Sequence, residues 1–203
     1  MKADDFLKNQ GQTTPYPLLL EIERASGSFI YDHSGKAYLD MIAGVAVNNI
    51  GHNHPQVIQA IKDQVDRHLH VMVYGEFVQD APLAMSKKLV EFLPQNLNAV
   101  YPVNSGTEAI EAAMKLVKRV TGRTEIIAFE GAYHGSTQGA LSLSSNRAKK
   151  QAFLPLLGDI NHIRLNRVED LKNITTKTAG VFLETIQGDA GVRIPDQTYL
   201  EAL

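Results

Sequence analysis

Residues 179–183 (Ala-Gly-Val-Phe-Leu) form an almost unbroken apolar run, which a strand carries only when it is covered on both faces. That run sits in a stretch of chain, from Asn98 onward, in which strand-like and helix-like segments alternate. Residues 99–103 read as a short apolar strand. Residues 107–120 place Ala109, Ala112, Ala113, Leu116, Val117 and Val120 at helical spacing, the stripe of a helix packed on a sheet. Glu125–Phe129 reads as a second strand and residues 160–165 as a third. Such alternation predicts an α/β fold with a mostly parallel sheet and flanking helices. Ligands of these sheets gather at the carboxyl ends of the strands, so residues just after each strand are the candidates for function.

Residues 1–98 form an N-terminal segment of different texture, and residues 99–203 the α/β part. Phe29–Asp32 and residues 37–41 are β-prone runs joined by Asp32-His33-Ser34-Gly35, which suits a hairpin. Val57, Ile58, Ile61 and Val65 recur at helical spacing after Pro55, and residues 82–92 give another helix. The 203 residues are 44% apolar and 21% charged, values of an ordinary globular protein. A formal charge of -2 offers no basic footprint for nucleic acid or anionic lipid, leaving a small molecule as the expected partner. Without cysteine there is no disulfide, thiolate nucleophile or thiolate metal site. The acids in MKADDFLKNQGQ do not suit a secretory leader, and no apolar run reaches membrane-spanning length, so a cytoplasmic location is expected.

Three strand ends carry distinctive side chains. Asn104-Ser105-Gly106-Thr107-Glu108 opens a helix, where free backbone N–H groups and two hydroxyls make a cup for phosphate; a capping box of Ser105 and Glu108 accounts for the same residues without any ligand. Glu130 to Ser136 flanks Tyr133 and His134 with glycines, which lets Tyr133 meet a flat heteroaromatic ring; a core tyrosine with a solvated histidine is the plainer alternative. Glu184 follows the apolar run, where an acid needs a partner or polar ligand, or else is an ordinary loop residue. His52 and His54 have no companion at a metal-ligand spacing and are taken as structural.

Jointly, YDHSGKAYLDMIAGVAVNNIGHNHPQV, NSGTEAIEAAMKL, AYHG and ETIQGDAGV resemble the class III aminotransferases of the fold-type I pyridoxal-phosphate superfamily, the acetylornithine, ornithine and 4-aminobutyrate type. The resemblance implies pyridoxal 5'-phosphate as cofactor, with Ser105, Gly106 and Thr107 at its phosphate and Tyr133 and His134 at its ring. It implies Glu184 as an active-site acid and Ser136 and Asp189 in the substrate pocket. It further implies a homodimer that moves an amino group from an ω-amine or basic amino acid to a 2-oxo acid such as 2-oxoglutarate. An aminomutase, a decarboxylase, or a non-catalytic binding module are the alternatives. The sequence departs from the family at Thr185, where proline is commonest, at Asp189, usually glutamate, and at Ser136, often arginine in acetylornithine-type members. Family members run to about twice this length, so the chain is expected to be an N-terminal half. The Schiff-base lysine is then absent from it, and the fragment is inactive by itself.

Overall fold

The computed structural model describes residues 2–73 and 75–203. It divides into two compact units, one running to Met85 and the other starting at Ser86.

The first unit opens with α1 (Lys2–Asn9) and a three-stranded antiparallel sheet in the order β1 (Ile22–Ser26), β2 (Phe29–Asp32), β3 (Ala37–Leu39). The β2–β3 turn is held by one side chain. Asp32 accepts from the Ser34 N–H (2.9 Å) and hydroxyl (2.7 Å), from the Lys36 N–H (3.1 Å) and from the Tyr38 hydroxyl (2.9 Å). These donors, Ser34 foremost, hold its carboxyl at about 2. A short turn with left-handed backbone, α2 (Ala43–Ala46), and then α3 (Pro55–Arg67) follow, with proline in the first turn of α3, where its missing N–H costs nothing. His52 lies 2.7 Å from Asp40 and pairs its backbone with Gly27, and His54 is the residue that precedes α3. Both histidines thus sit in the framework of this unit. α4 (Asp80–Glu91) runs across the boundary between the units.

In the second unit β4 (Glu125–Phe129) is the middle strand of a parallel sheet, with β5 (Ile160–Ile163) on one side and β6 (Thr178–Phe182) on the other. Its side chains alternate between two cores. Ile126 and Ala128 join Met114, Leu143 and Phe182 on one face; Ile127 and Phe129 join Ala132, Ile163 and Tyr199 on the other. The first core is covered by α5 (Gly106–Thr121) and α6 (Gln138–Leu143), while α7 (Arg147–Lys150) follows and α8 (Gln197–Ala202) closes the second with Tyr199. α5 ends at Gly122 in the left-handed region (φ 68°), which lets its N–H return to the Lys118 carbonyl.

Two expectations are corrected. Residues 99–103 are not a strand: extended apolar chain becomes one only by pairing, and among the described residues they have no ladder partner. The packed stripe of α5 is Ile110, Ala113, Met114 and Val117, whereas Leu116 and Val120 are 59% and 75% exposed. Ala113 and Val117 of the expected stripe do pack there, and the buried line turns toward Ile110 and Met114 rather than Leu116 and Val120.

Candidate active site

The start of α5 combines a cap with open backbone. Ser105 caps the helix by accepting from the Glu108 N–H (3.3 Å), and the Glu108 carboxylate returns to the Asn104 N–H (2.8 Å) and the Ser105 hydroxyl (3.2 Å). Only the first half of the expected capping box forms, because the Glu108 carboxylate closes on Asn104 rather than on the Ser105 N–H, and these bonds occupy the Ser105 hydroxyl. The amides of Gly106 and Thr107 occupy the first two helical positions, where no intrahelical acceptor exists. Nothing lies within 4 Å of where a Cβ on Gly106 would stand. Cap and anion cup thus coexist, since each uses different donors.

The loop after β4 is drawn against this turn. Gly135 has φ +130°, and a Cβ there would lie 2.3 Å from the Thr107 Oγ1. Thr137 reinforces the approach: its hydroxyl is 2.7 Å from that of Thr107. Glu111, one helical turn further along α5, accepts from the Gly139 N–H (2.8 Å) and Ala140 N–H (3.1 Å) as well as from the Thr137 hydroxyl. Its carboxylate thereby caps α6 from a neighbouring helix.

The same loop is tied to the third strand end, because the Tyr133 N–H donates to the Glu184 carboxylate at 2.8 Å. Burial raises the Glu184 carboxyl above its ordinary range; the Tyr133 N–H opposes this and the nearby Asp189 adds to it. Tyr133 itself is 45% exposed, its hydroxyl 3.5 Å from that of Ser136. Asp189 is held by Lys149 at 2.6 Å. Two links, Gly135 against Thr107 and Tyr133 to Glu184, therefore bring together all three segments marked in the sequence.

His134 turns the other way, into the core, edge-on to Phe182 at 6.2 Å. Burial lowers its pKa, with His162 acting in the same sense and the Phe182 backbone opposing. Its Nε2 has no hydrogen-bond partner. His162 is lowered too, chiefly by burial. Lowered histidines bind protons more weakly folded than unfolded. Their contribution to stability is complete above the ordinary value of 6.5 and is lost as pH falls through the depressed folded values. Denaturation midpoints should accordingly fall as pH drops below about 6.5, and His134→Phe should flatten that slope; an unchanged slope would contradict the burial of a neutral imidazole.

Sequence reasoning did not single out Glu111, Thr137 or Lys149. Glu111 and Thr137 contact each other across 26 residues, and Lys149 and Asp189 across 40, so no local pattern marks them.

Residues 11–203 match the model of the family described as aminotransferase class-III. The chain belongs to the class III aminotransferases. It is similar to acetylornithine aminotransferase of Methanopyrus kandleri, 42% identical over 100% of this chain and 52% of that protein. It is also similar to acetylornithine aminotransferase of Streptomyces coelicolor, 39% identical over 90% of this chain and 45% of the relative. Among solved structures it superimposes on adenosylmethionine-8-amino-7-oxononanoate aminotransferase from Methanocaldococcus jannaschii. There the TM-score is 0.88 and the identity 28%, over 99% of this chain and 50% of the other. Ornithine aminotransferase from Toxoplasma gondii, described with partial occupancy of PLP at its active site, gives a TM-score of 0.86 at 27% identity, over 98% of this chain and 49% of the other. The chain spans about half the length of these relatives.

The cofactor of this class III aminotransferase chain is pyridoxal phosphate. The residues present fit it: two free amides and open space at Gly106 for a phosphate, and the exposed ring of Tyr133 for a heteroaromatic.

Proposed function

We propose that the complete protein is a transaminase that moves an amino group from a donor with a terminal amine, an ω-amine or basic amino acid, to a 2-oxo acid. The observation that carries this reading is the convergence of the Gly106–Thr107 turn, Tyr133 and Glu184 through two direct contacts. The names of the relatives, acetylornithine and ornithine aminotransferase, support the donor class. Pyridoxal phosphate, when bound, supplies the electron sink for the chemistry. The chain's own residues bind and orient. The Gly106 and Thr107 amides donate to the phosphate, and the α5 dipole favours its charge. Tyr133 supports the ring, Glu184 fixes the Tyr133 backbone, and Glu111 keeps Thr137 against Thr107. His134 acts from beneath as a neutral, buried spacer between this loop and β6 rather than as a ring contact. Ser136 and Asp189 border the substrate side.

We further propose that the complete protein works as a homodimer in the cytoplasm, and that residues 1–203 alone do not turn over because no lysine among them is positioned as the Schiff base. Lys115 and Lys118 lie in α5, which begins at the phosphate end, and Lys149, beside the Tyr133 ring, is held by Asp189. A panel of donors assayed with 2-oxoglutarate tests the reaction class. Transfer from terminal amines is expected, whereas reaction of neutral α-amino acids alone would contradict the donor assignment. Borohydride reduction of residues 1–203 with pyridoxal phosphate should label lysines diffusely, and a single stoichiometric adduct with turnover would contradict the half-chain reading.

A further inference from the structure

α7 is fastened at both ends. Asn146 accepts from the Ala148 and Lys149 N–H groups (3.0 and 3.3 Å), and Lys150 reaches back to donate to the Ser142 and Ser144 carbonyls (3.1 and 2.8 Å). Held this way, the four-residue helix presents Lys149 to the crevice, its ammonium 2.6 Å from Asp189 and 5.3 Å from the centre of the Tyr133 ring. Both partners of that ion pair are close to half exposed, 44% and 48%, so the pair does little for stability and is open to exchange with an incoming charge. The polar groups linked to Tyr133 and Asp189 here are the Ser136 hydroxyl, 3.5 Å from that of Tyr133, and the Glu184 carboxylate, which accepts from the Tyr133 N–H. The carboxylates of Glu184 and Asp189 repel an anionic substrate group, and Lys149 offsets them at the Tyr133 ring.

We propose that Lys149 is the cation that binds the carboxylate of the substrate, and that Asp189 positions it while the crevice is empty of substrate. The inference rests on the transaminase reading for its substrate class. Its geometry predicts preference for donors and acceptors that carry a carboxylate beyond the reacting carbon, since the ammonium stands over the Tyr133 ring, 5.3 Å from its centre, on a different segment from the phosphate turn at Gly106 and Thr107.

The test uses the complete protein loaded with pyridoxal phosphate, as the unsubstituted form and as Lys149→Met, Lys149→Arg and Asp189→Asn. The donor half-reaction is followed with ε-aminocaproate and with hexylamine, which differ by the carboxylate, and glutarate binding is titrated calorimetrically. Loss of a charged hydrogen bond should raise the half-saturating ε-aminocaproate concentration and the glutarate Kd of Lys149→Met roughly ten- to a hundredfold, with hexylamine unaffected. Lys149→Arg should recover most of the loss, and Asp189→Asn should bind glutarate more tightly by freeing the ammonium. Glutarate affinity unchanged in Lys149→Met, or an equal loss for hexylamine, would overturn the proposal. An unsubstituted protein that takes the amino group from neither donor would instead refute the transaminase reading, while the glutarate titration still decides the role of Lys149.

Discussion

Replacing Gly135 by alanine should destabilise the protein by about 2–5 kcal/mol, combining the strain of a positive φ with overpacking, and should lower pyridoxal phosphate affinity with it. At φ +130° an L side chain is poorly tolerated, and the new Cβ would stand 2.3 Å from the Thr107 Oγ1 and 3.0 Å from its Cα. Backbone is involved, so a rotamer change cannot absorb the clash. The loop carrying Tyr133 must then move off the phosphate turn. Gly158, which has ordinary φ and open space around it, is the control: alanine there should change stability by no more than about 0.5 kcal/mol. Urea denaturation compares the two, and equal small losses would show that Gly135 and Thr107 are not in contact.

Phe129→Ala should cost about 3–5 kcal/mol, the usual range for a fully buried phenylalanine. The side chain has no exposure and meets Tyr199 edge-on at 6.3 Å, with the rings at 80°. It ends the central strand, and the Ala132 N–H donates back to its carbonyl at 3.2 Å, so the cavity would loosen the turn that leads to Tyr133. A denaturation loss below about 1 kcal/mol would be the size of a surface change and would contradict a closed core between β4 and α8.

The sheet was legible where a strand is buried on both faces. The apolar run at residues 179–183 marked β6, and β4, read from sequence only as a strand, is the middle one, with Ile126 to Phe129 buried on both faces. Residues 99–103 show the limit of that argument: apolar alternation reports willingness to be a strand, not whether a neighbour is there to pair. β1 (Ile22–Ser26) escaped for the opposite reason, since IERAS is largely polar and exposed and its pairing with β2 supplies the order. α6, QGALSL, has glycine and serine where a helix former is expected. Its start is stabilised from outside by Glu111, a contact invisible to local pattern. The candidate site followed the same division. Ser105, Gly106, Thr107, Tyr133 and Glu184 stand in short motifs and could be marked in sequence, but their union depends on Gly135 lying against Thr107 and on the Tyr133 N–H reaching Glu184. Lys149 stands in a basic, otherwise unremarked stretch and becomes chemically interesting only when Asn146 and Lys150 fix its direction.

The open start of α5 is the proposed seat of the phosphate of pyridoxal phosphate. Gly106→Ala isolates it, because an added methyl meets no protein atom within 4 Å and φ is unstrained, so folding is left intact while the space above the Gly106 and Thr107 amides is filled. Pyridoxal phosphate titrated into the complete protein and into Gly106→Ala, with thermal melting of both in its absence, makes the measurement. Equal melting temperatures with at least tenfold weaker binding by the variant, about 1.4 kcal/mol, are the predicted result, and equal affinity of the two proteins would contradict the placement of the phosphate at this turn.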